Sequence, residues 1–311
     1  MHVKRTKPRV DVQIAPADVA QWDNCRRQVA YEHIWQVQPA SPHALEVFGR
    51  CIEQSVHRFL LDTALGNTPN PIEHFDRLWT EATTERPPAF RERENVSSFE
   101  RAGAKLMRML PGAWKRTGLT VARRRDDDDT PWVQQPASME WDFRFDDSPP
   151  RALELIGTLG VIVERPALGR GLLQVATVRT PHSHSYTRRA DILTGNQVLF
   201  DEERNDPFYE KPLDAVGFWD FIKTENNAWI AEPLFVPPRG PAAQTEFCEK
   251  VDQMSVEIVK ERFYRTSRWQ WNTPCAQCPF ARHCLENDSR GLVFPSQVPR
   301  ASAGLPTGQE Q

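Results

Sequence analysis

The chain has 311 residues, of which 39% are hydrophobic and 26% are charged, and its formal net charge at pH 7 is −3. This balance is ordinary for a globular protein and provides no global attraction to nucleic acid. No apolar run is long enough to span a bilayer, so no membrane partner is expected. The amino terminus lacks the apolar core of a secretory signal, and six cysteines without such a signal are typical of a reducing cytosol. We therefore expect a cytoplasmic protein.

The first part of the chain is predicted to be helical. Apolar residues recur at helical spacing in four segments, over residues 16–36, 44–65, 72–83 and 96–118. The second segment is the clearest, because Ile52, Val56 and Phe59 recur at i, i+4 and i+7 and form one apolar face. Residues 1–13, which precede these helices, are expected to be a flexible amino terminus.

Strand patterns begin near the middle of the chain. They are predicted over residues 139–145, 153–163, 172–179, 216–223 and 228–236. A turn that contains proline and glycine joins the second strand to the third, which predicts a hairpin. The segment 190–200 is compatible with either a helix or a strand. A helix over 244–263 follows, and residues 295–311 are expected to be a disordered tail.

Four cysteines form the most specific motif. Cys275, Cys278 and Cys284 lie close together near the carboxyl terminus, and Cys25 precedes them by about 250 residues. Thiolates at this spacing bind soft metals, and four of them complete the shell of one iron–sulfur cluster or one zinc ion. A shared metal would require the two ends of the chain to meet in space. The other two cysteines fall on predicted helices and are expected in the core.

The order of the elements predicts an α/β fold. Helices come first, a mixed sheet follows, and a last helix leads to a metal cluster that returns to the first helix. We expect a single domain over residues 14–294. Its parts are a helical insertion at about 44–118, a sheet core at about 138–236, and a clasp formed by Cys25 with residues 263–285.

This ordered series resembles the RecB-like nucleases of the PD-(D/E)XK superfamily that carry an iron–sulfur cluster. AddB-type helicase–nuclease subunits and the CRISPR-associated RecB-like exonucleases belong to that group. The resemblance spans residues 14–285 and rests on Trp22 through Cys25 to Tyr31, Phe48-Gly49, Glu140, Phe263-Tyr264 and the segment Cys275-x2-Cys278-Pro279-Phe280-x3-Cys284. It implies a restriction-endonuclease-like mixed sheet flanked by helices, a 4Fe–4S cluster, and cleavage of DNA with Mg²⁺ or Mn²⁺. The residues alone also allow zinc.

The resemblance also implies where a catalytic hairpin would lie. In that family one strand supplies an Asp and the next supplies Asp or Glu, one residue, then Lys, so that two carboxylates hold a metal that activates water. The matching positions here are Gly160, Thr177 and Arg179. Glycine offers no ligand, threonine is a poor one for Mg²⁺, and arginine does not readily give up a proton. Cleavage by the usual route is therefore expected to fail.

Other family positions are matched less directly. His57 aligns with an active-site histidine, and Glu53 occupies a nearer position after Gly49. Glu140 heads the strand before the hairpin. Gln197 matches a glutamine of the family's Gln-x3-Tyr helix, although its tyrosine position holds an aspartate. His57 is equally compatible with an ordinary place at the edge of the core.

A rival site remains open from the residues alone. Asp191, followed by a turn at Gly195-Asn196 and a second acidic strand with Asp201 and Glu203, would present carboxylates to a divalent cation. Glu140 with Glu154 is a further pair.

Three functions therefore stand as hypotheses. The first is a catalytically inactive pseudonuclease that binds DNA, or a protein partner in a larger DNA-processing complex, with Arg179, Arg188 and Arg189 on phosphate. The second is an active exonuclease that uses the rival carboxylates with Mg²⁺ or Mn²⁺. The third is a metal-stapled scaffold with no role in nucleic-acid chemistry.

Overall fold

A computed structural model describes the protein over residues 10–124, 129–143, 151–179, 190–203, 212–264, 275 and 278–295. The fold is α/β, with a mixed sheet and flanking helices. The chain divides into two compact units, and each is assembled from separate stretches of sequence. Unit 1 comprises Met1–Ala40, Met139–Leu155 and Thr245–Gln311, and unit 2 comprises Ser41–Ser138 and Ile156–Gln244.

The long helices and the strands of the central sheet come in the predicted order, whereas a strand at Val10–Ile14 begins where a flexible amino terminus is predicted. The helices are α1 (Pro16–Asn24), α2 (Arg26–Val29), α3 (Ala44–Ala64), α4 (Pro71–Glu85), α5 (Val96–Thr117), α6 (Ala190–Glu203), α7 (Pro241–Val259) and α8 (Ala281–Glu286), with a π-helical turn at Ala30–Ile34. The strands are β1 (Val10–Ile14), β2 (Gln38–Pro39), β3 (Thr120–Val121), β4 (Val133–Phe143), β5 (Arg151–Arg165), β6 (Gly169–Val178), β7 (Ala215–Lys223), β8 (Ala228–Ile230), β9 (Leu234–Val236) and β10 (Leu292–Val293).

An aromatic core holds the three long helices of unit 2 together. Phe48 of α3, Phe75 and Trp79 of α4 and Phe99 of α5 contact one another, with ring centroids 5.1 to 6.3 Å apart. Gly103 makes this possible, because a Cβ at that position would overlap the ring of Phe75. Side-chain caps at the start of α4 and α5 fix where those helices begin.

The sheet of unit 2 is built on the predicted hairpin, which is confirmed. The end of β5 pairs with β6 in antiparallel register, with Val161 opposite Leu173. Strand β6 then pairs with β7 in parallel, and β7 pairs on its other side with the short antiparallel strands β8 and β9. The ambiguous segment 190–200 is helical and forms most of α6. Every residue of β7 is buried, as expected for a strand inside the sheet.

Unit 1 brings the two ends of the chain together, as the cysteine spacing predicts. Strand β2, at residues 38–39, pairs in antiparallel register with β10, at residues 292–293. Arg26 forms an ion pair with Glu257 of α7 at 3.2 Å, and Lys250 of the same helix pairs with Asp23 at 3.2 Å. Strand β1 pairs in parallel with the first residues of β5.

Within the residues that the structure describes, no helix is both long enough and apolar enough to cross a membrane.

Candidate metal centre and hairpin positions

Cys25 interrupts the helix that the sequence predicts over residues 16–36. Its backbone is extended, with φ −159° and ψ 100°, so it ends α1 and precedes α2. Only 9% of its surface is exposed. The break is therefore accompanied by burial of this thiol in unit 1.

The other three ligand candidates lie on a short turn and on α8. The backbone N–H of Cys278 donates to the carbonyl oxygen of Cys275 at 3.3 Å, and the N–H of Cys284 donates to the carbonyl of Phe280 at 2.8 Å. Phe280 is 1% exposed and stacks on Tyr31 of the π-helical turn, with 5.0 Å between ring centroids. This buried aromatic contact fixes the segment that carries the carboxyl-terminal thiols against the segment that follows Cys25.

The four thiols are close enough to act on one another through their charge. The pKa of the Cys278 thiol is raised to about 12, mainly by burial, with smaller electrostatic contributions from Cys25, Cys275 and Cys284. We call this group, Cys25, Cys275, Cys278 and Cys284, the cysteine pocket. Because metal ligands must be thiolates, loading the pocket with metal would release protons.

Among the described side chains, no three sulfur atoms of the cysteine pocket all lie within 4.8 Å of one another. A tetrahedral zinc with bonds of about 2.3 Å holds its sulfurs about 3.8 Å apart. Among the described side chains, the one group of three or more ligand atoms within 4.8 Å of one another is Asp18, Glu32 and His33, and it includes no cysteine. The donor set fits a cluster, whose ligands bind separate irons and so lie farther apart.

The side chains of Asp18, Glu32 and His33 are held together by hydrogen bonds within the first helices. The Nε2 atom of His33 lies 2.9 Å from Oδ1 of Asp18, while Oδ2 of Asp18 accepts the backbone N–H of Ala15 at the start of α1. Glu32 accepts a hydrogen bond from Gln28. The hydrogen bond to Asp18 raises the pKa of His33 above its ordinary value. These contacts stabilise the first helices, and no motif in the sequence indicates them.

Thr177 of β6 lies against α3. A Cβ added at Gly49 would stand 3.5 Å from the Cβ of Thr177, so the strand and helix approach closely there. The Thr177 hydroxyl is buried and has no hydrogen-bond partner among the described residues. It is a neutral group, whereas the resemblance implies a carboxylate at this position.

Arg179, two residues later, is held by a partner that sequence reasoning missed. Its guanidinium donates to both carboxylate oxygens of Glu94, at 2.8 and 3.1 Å. The Glu94 side chain is 3% exposed and that of Arg179 is 23% exposed. Burial opposes ionisation of Glu94, but the hydrogen bonds and charge of Arg179 outweigh it and hold the pKa of Glu94 below its ordinary value. Arg179 is therefore already engaged by a carboxylate.

Gly160 faces away from Thr177. A Cβ at Gly160 would overlap the backbone oxygen of Leu173 and stand 2.9 Å from Oε1 of Gln174, whose side chain is approached by Asn196 of α6. Thr177 instead meets α3, and residues 174 and 177 of one strand point to opposite faces because side chains alternate. The structure therefore does not bring the first and second hairpin positions together.

His57 lies deep in unit 2. It is 2% exposed, burial lowers its pKa to about 3, and neither ring nitrogen has a partner among the described residues. Eight residues of helix place it about 12 Å along α3 from Gly49, and hence from Thr177. Glu53 is one turn from Gly49, and burial raises its pKa. The neutral imidazole of His57 is a core residue here, and Glu53 is the nearer ionisable group.

The side-chain amide of Gln197 forms two hydrogen bonds with the backbone of one residue. Its Nε2 donates to the carbonyl oxygen of Arg239 at 3.1 Å, and its Oε1 accepts the N–H of Arg239 at 2.7 Å. This paired contact fixes the loop that precedes α7.

The rival carboxylate site is contradicted by the local structure. Residues 190–203 form the single helix α6 where the rival site requires two strands and a turn. Ten residues separate Asp191 from Asp201, which corresponds to about 15 Å along a helix. Asp201 accepts a hydrogen bond from Gln244 at 3.1 Å. These two carboxylates cannot share one cation, and the side chain of Glu203 lies outside the described residues.

The remaining predicted residues fall in other places. Glu140 is exposed on β4, and Glu154 on β5 accepts a hydrogen bond from Gln13 at 2.7 Å; both belong to unit 1, whereas Thr177 and Arg179 belong to unit 2. Arg188 and Arg189 lie outside the described residues.

Comparisons with known proteins add little. No protein-family model matches the chain. No curated protein matches it either. A solved structure described as "Crystal structure of SSO0001" aligns with 91% of this chain and 89% of its own, at 9% sequence identity and a TM-score of 0.39. Likeness at this level carries no argument about fold or activity.

Proposed function

We propose that this chain is a RecB-like nuclease-fold protein that holds a 4Fe–4S cluster and binds DNA without cleaving it. The observation that carries the proposal is the cysteine pocket, in which four thiols from opposite ends of the sequence come within electrostatic reach of one another. The order of helix α3, hairpin β5–β6, helix α6 and parallel strand β7 is consistent with the fold that the resemblance implies.

The arrangement of the sulfurs favours a cluster over zinc. All four donors are thiols, which iron–sulfur clusters prefer, and among the described side chains no three of these sulfurs have the mutual spacing of one tetrahedral zinc site. Tyr31 adds a polar contact to this environment. Burial raises the pKa of its hydroxyl, Arg27 opposes that rise, and a side-chain hydrogen bond to Cys284 adds to it. Hydrogen bonds to ligand sulfurs are one of the ways in which a protein tunes a cluster.

The role proposed for the cluster is structural. When bound, it would cross-link Cys25 to the carboxyl-terminal thiols. Closing a loop of about 250 residues removes about 5 kcal/mol of chain entropy from the unfolded state, if the relation for disulfides applies. This is comparable with the whole stability of an ordinary domain.

The hairpin positions support the absence of cleavage. Gly160 has no side chain, points away from Thr177, and has no room for an aspartate. Thr177 supplies only a neutral hydroxyl, and Arg179 is engaged by Glu94. Carboxylates that converge on one point are what a Mg²⁺-dependent nuclease needs, and these three positions do not provide them.

The proposal is tested on protein purified without oxygen. We expect a brown preparation with about four irons and four sulfides per chain. Labelled single-stranded DNA should bind with an affinity that falls steeply with salt, and should stay intact in Mg²⁺ or Mn²⁺. The variant Cys248→Ala, which alters a cysteine outside the pocket, should keep its iron, whereas Cys275→Ala should lose it.

Each part of the proposal can fail separately. Stoichiometric zinc without iron would overturn the cluster. Metal-dependent degradation of the labelled DNA, by an activity that co-purifies with the protein, would overturn the proposal that the hairpin is inactive. A brown, folded protein with no affinity for DNA would leave the metal-stapled scaffold as the better description.

A further inference from the structure

Strands β6 and β7 run in parallel and end side by side in unit 2. Val178 lies opposite Ile222 in the register, so the next residues, Arg179 and Lys223, are neighbours at the carboxyl ends of the two strands. In open α/β sheets, ligands bind in the crevice outside the carboxyl ends of parallel strands. This edge is therefore the first place in unit 2 to look for a ligand.

A cavity of about 350 Å³ opens at this edge, between α5 and the turn that joins β7 to β8. Its size lies at the lower end of the range for small-molecule sites, roughly 300–1,000 Å³, and is sufficient for one nucleotide. Its walls are mostly polar and include the side-chain amides of Asn95, Asn226 and Asn227. Such walls suit a hydrophilic ligand better than an apolar one.

The charge of the cavity is strongly positive. Arg93, Arg101, Lys105 and Lys223 line it, against the single carboxylate of Glu225. That carboxylate is half exposed and lies 3.7 Å from Arg93, whose side chain is 78% exposed. Four cations that converge on one nucleotide-sized space, with one acid among them, form an attractive environment for an anion.

Lys223 is the least expected of these cations. It is 2% exposed, and its ammonium group donates to the backbone carbonyl of Thr224 at 2.6 Å and lies 4.7 Å from the centre of the Phe99 ring. The nearby Glu94 carboxylate is already bound by Arg179. A buried ammonium without a carboxylate of its own is costly, and an anionic ligand would offset that cost.

We propose that this cavity, formed by Arg93, Arg101, Lys105 and Lys223, binds the phosphate of a nucleotide. Two sources share this chemistry, a free nucleoside phosphate and a single strand of DNA. Binding of a DNA strand rests on the proposed function, whereas binding of a free nucleoside phosphate does not depend on it. In either form Lys223 provides a buried charge at the base of the cavity, and Arg101 and Lys105 of α5 close on the phosphate from the side.

The test compares two double variants of α5 that remove the same charges. Arg101→Gln with Lys105→Gln alters the cavity, and Arg108→Gln with Lys115→Gln alters exposed positions of the same helix that do not line it. The probes are adenosine 5′-monophosphate, inorganic phosphate and a labelled single-stranded oligonucleotide. Melting temperature and iron content should match the wild type in both variants.

We expect the cavity variant to raise the Kd at least tenfold for whichever probes the wild-type protein binds. For the oligonucleotide, the slope of log K against log salt should also fall by about 2, since each phosphate-contacting cation contributes about 1. The control variant should bind within twofold of the wild type.

The outcomes separate this inference from the proposed function. If the wild type binds DNA and both variants bind it equally, the cavity assignment is overturned and DNA binding stands. If only the nucleotide or phosphate binds, and the cavity variant loses it, the cavity stands and DNA binding falls. Absence of binding to every probe overturns both.

Discussion

The cysteine pocket of unit 1 and the hairpin positions of unit 2 are both inferred from spacing, yet the structure treats them differently. The thiols come together although about 250 residues separate the first from the others. Gly160 and Thr177 lie on paired strands and point to opposite faces. A thiol at a helix break or on a turn can be oriented by local backbone changes. Side chains alternate between the two faces of a strand. An alignment that is shifted by one residue therefore assigns a side chain to the opposite face of the sheet.

The largest expected effect tests the first half of this comparison. Cys25→Ala should abolish iron binding and reduce stability by about 5 kcal/mol, because the cross-link between the chain ends is lost. Iron content and soluble yield measure it, with Cys248→Ala as the matched control in the same unit. If Cys25→Ala has the iron content and the melting temperature of the wild type, Cys25 is not a ligand and the proposed cysteine pocket is wrong.

Next in size is the buried ion pair of unit 2. Arg179→Met leaves the Glu94 carboxylate buried without its partner and should cost about 3 kcal/mol at neutral pH, as measured by urea unfolding. The double variant Glu94→Gln with Arg179→Met should recover most of that loss, since the buried charge is then gone.

The same pair predicts a dependence on pH. The pKa of Glu94 is lower in the folded state than its ordinary 4.5, so its stabilisation is present above that value and is lost as the pH falls through the folded pKa. Arg179→Met should lack this acid-side loss. An unchanged acid profile in the variant would show that the pair contributes little.

A smaller effect tests the second half of the comparison. Gly160→Ala should destabilise the protein by about 2 kcal/mol, because the new Cβ meets the backbone of Leu173, which cannot move aside cheaply. Gly112→Ala, where the nearest atom is 3.6 Å away on a helix, should be neutral or stabilising by about 0.5–1 kcal/mol. If Gly160→Ala is tolerated as well as Gly112→Ala, then β5 can hold a side chain at position 160 and the steric argument against one is wrong.

The smallest effect lies in unit 1. The pKa of His33 is raised by Asp18, so the pair stabilises the fold fully below about pH 6.5, and this is lost as the pH rises through the folded pKa. His33→Gln should remove about 1 kcal/mol or less of stability at pH 6 and none at pH 9. Equal losses at both pH values would show that packing, rather than charge, is responsible.

Much of the helical structure was accessible from the sequence. The predicted segments 44–65, 72–83 and 96–118 are observed as α3, α4 and α5 within two residues at each end. Their apolar faces repeat over several turns, and asparagine caps mark where two of them begin. The hairpin and the meeting of the chain ends were also predictable. Two strand patterns joined by a short turn indicate the hairpin, and the spacing of the four cysteines indicates that the ends meet.

What escaped prediction depends on contacts between distant residues. Glu94 reaches Arg179 across 85 residues, and Lys223 meets Phe99 of another element. Neither pairing leaves a periodic signal. Segment 190–200 is compatible with a helix or a strand from its sequence, and it forms a helix that continues through Gly195. The break at Cys25, where the backbone is extended between two helices, is likewise specified by no local propensity.

Unit 1 draws on both ends of the chain, and this has a consequence for biosynthesis. Cys25 emerges from the ribosome about 250 residues before Cys275, a delay of tens of seconds at roughly 5–20 residues per second. Unit 2 is complete by Gln244, so it can fold while the first thiol still waits. If the proposed cluster is bound, its insertion is therefore expected among the last events in the maturation of this molecule.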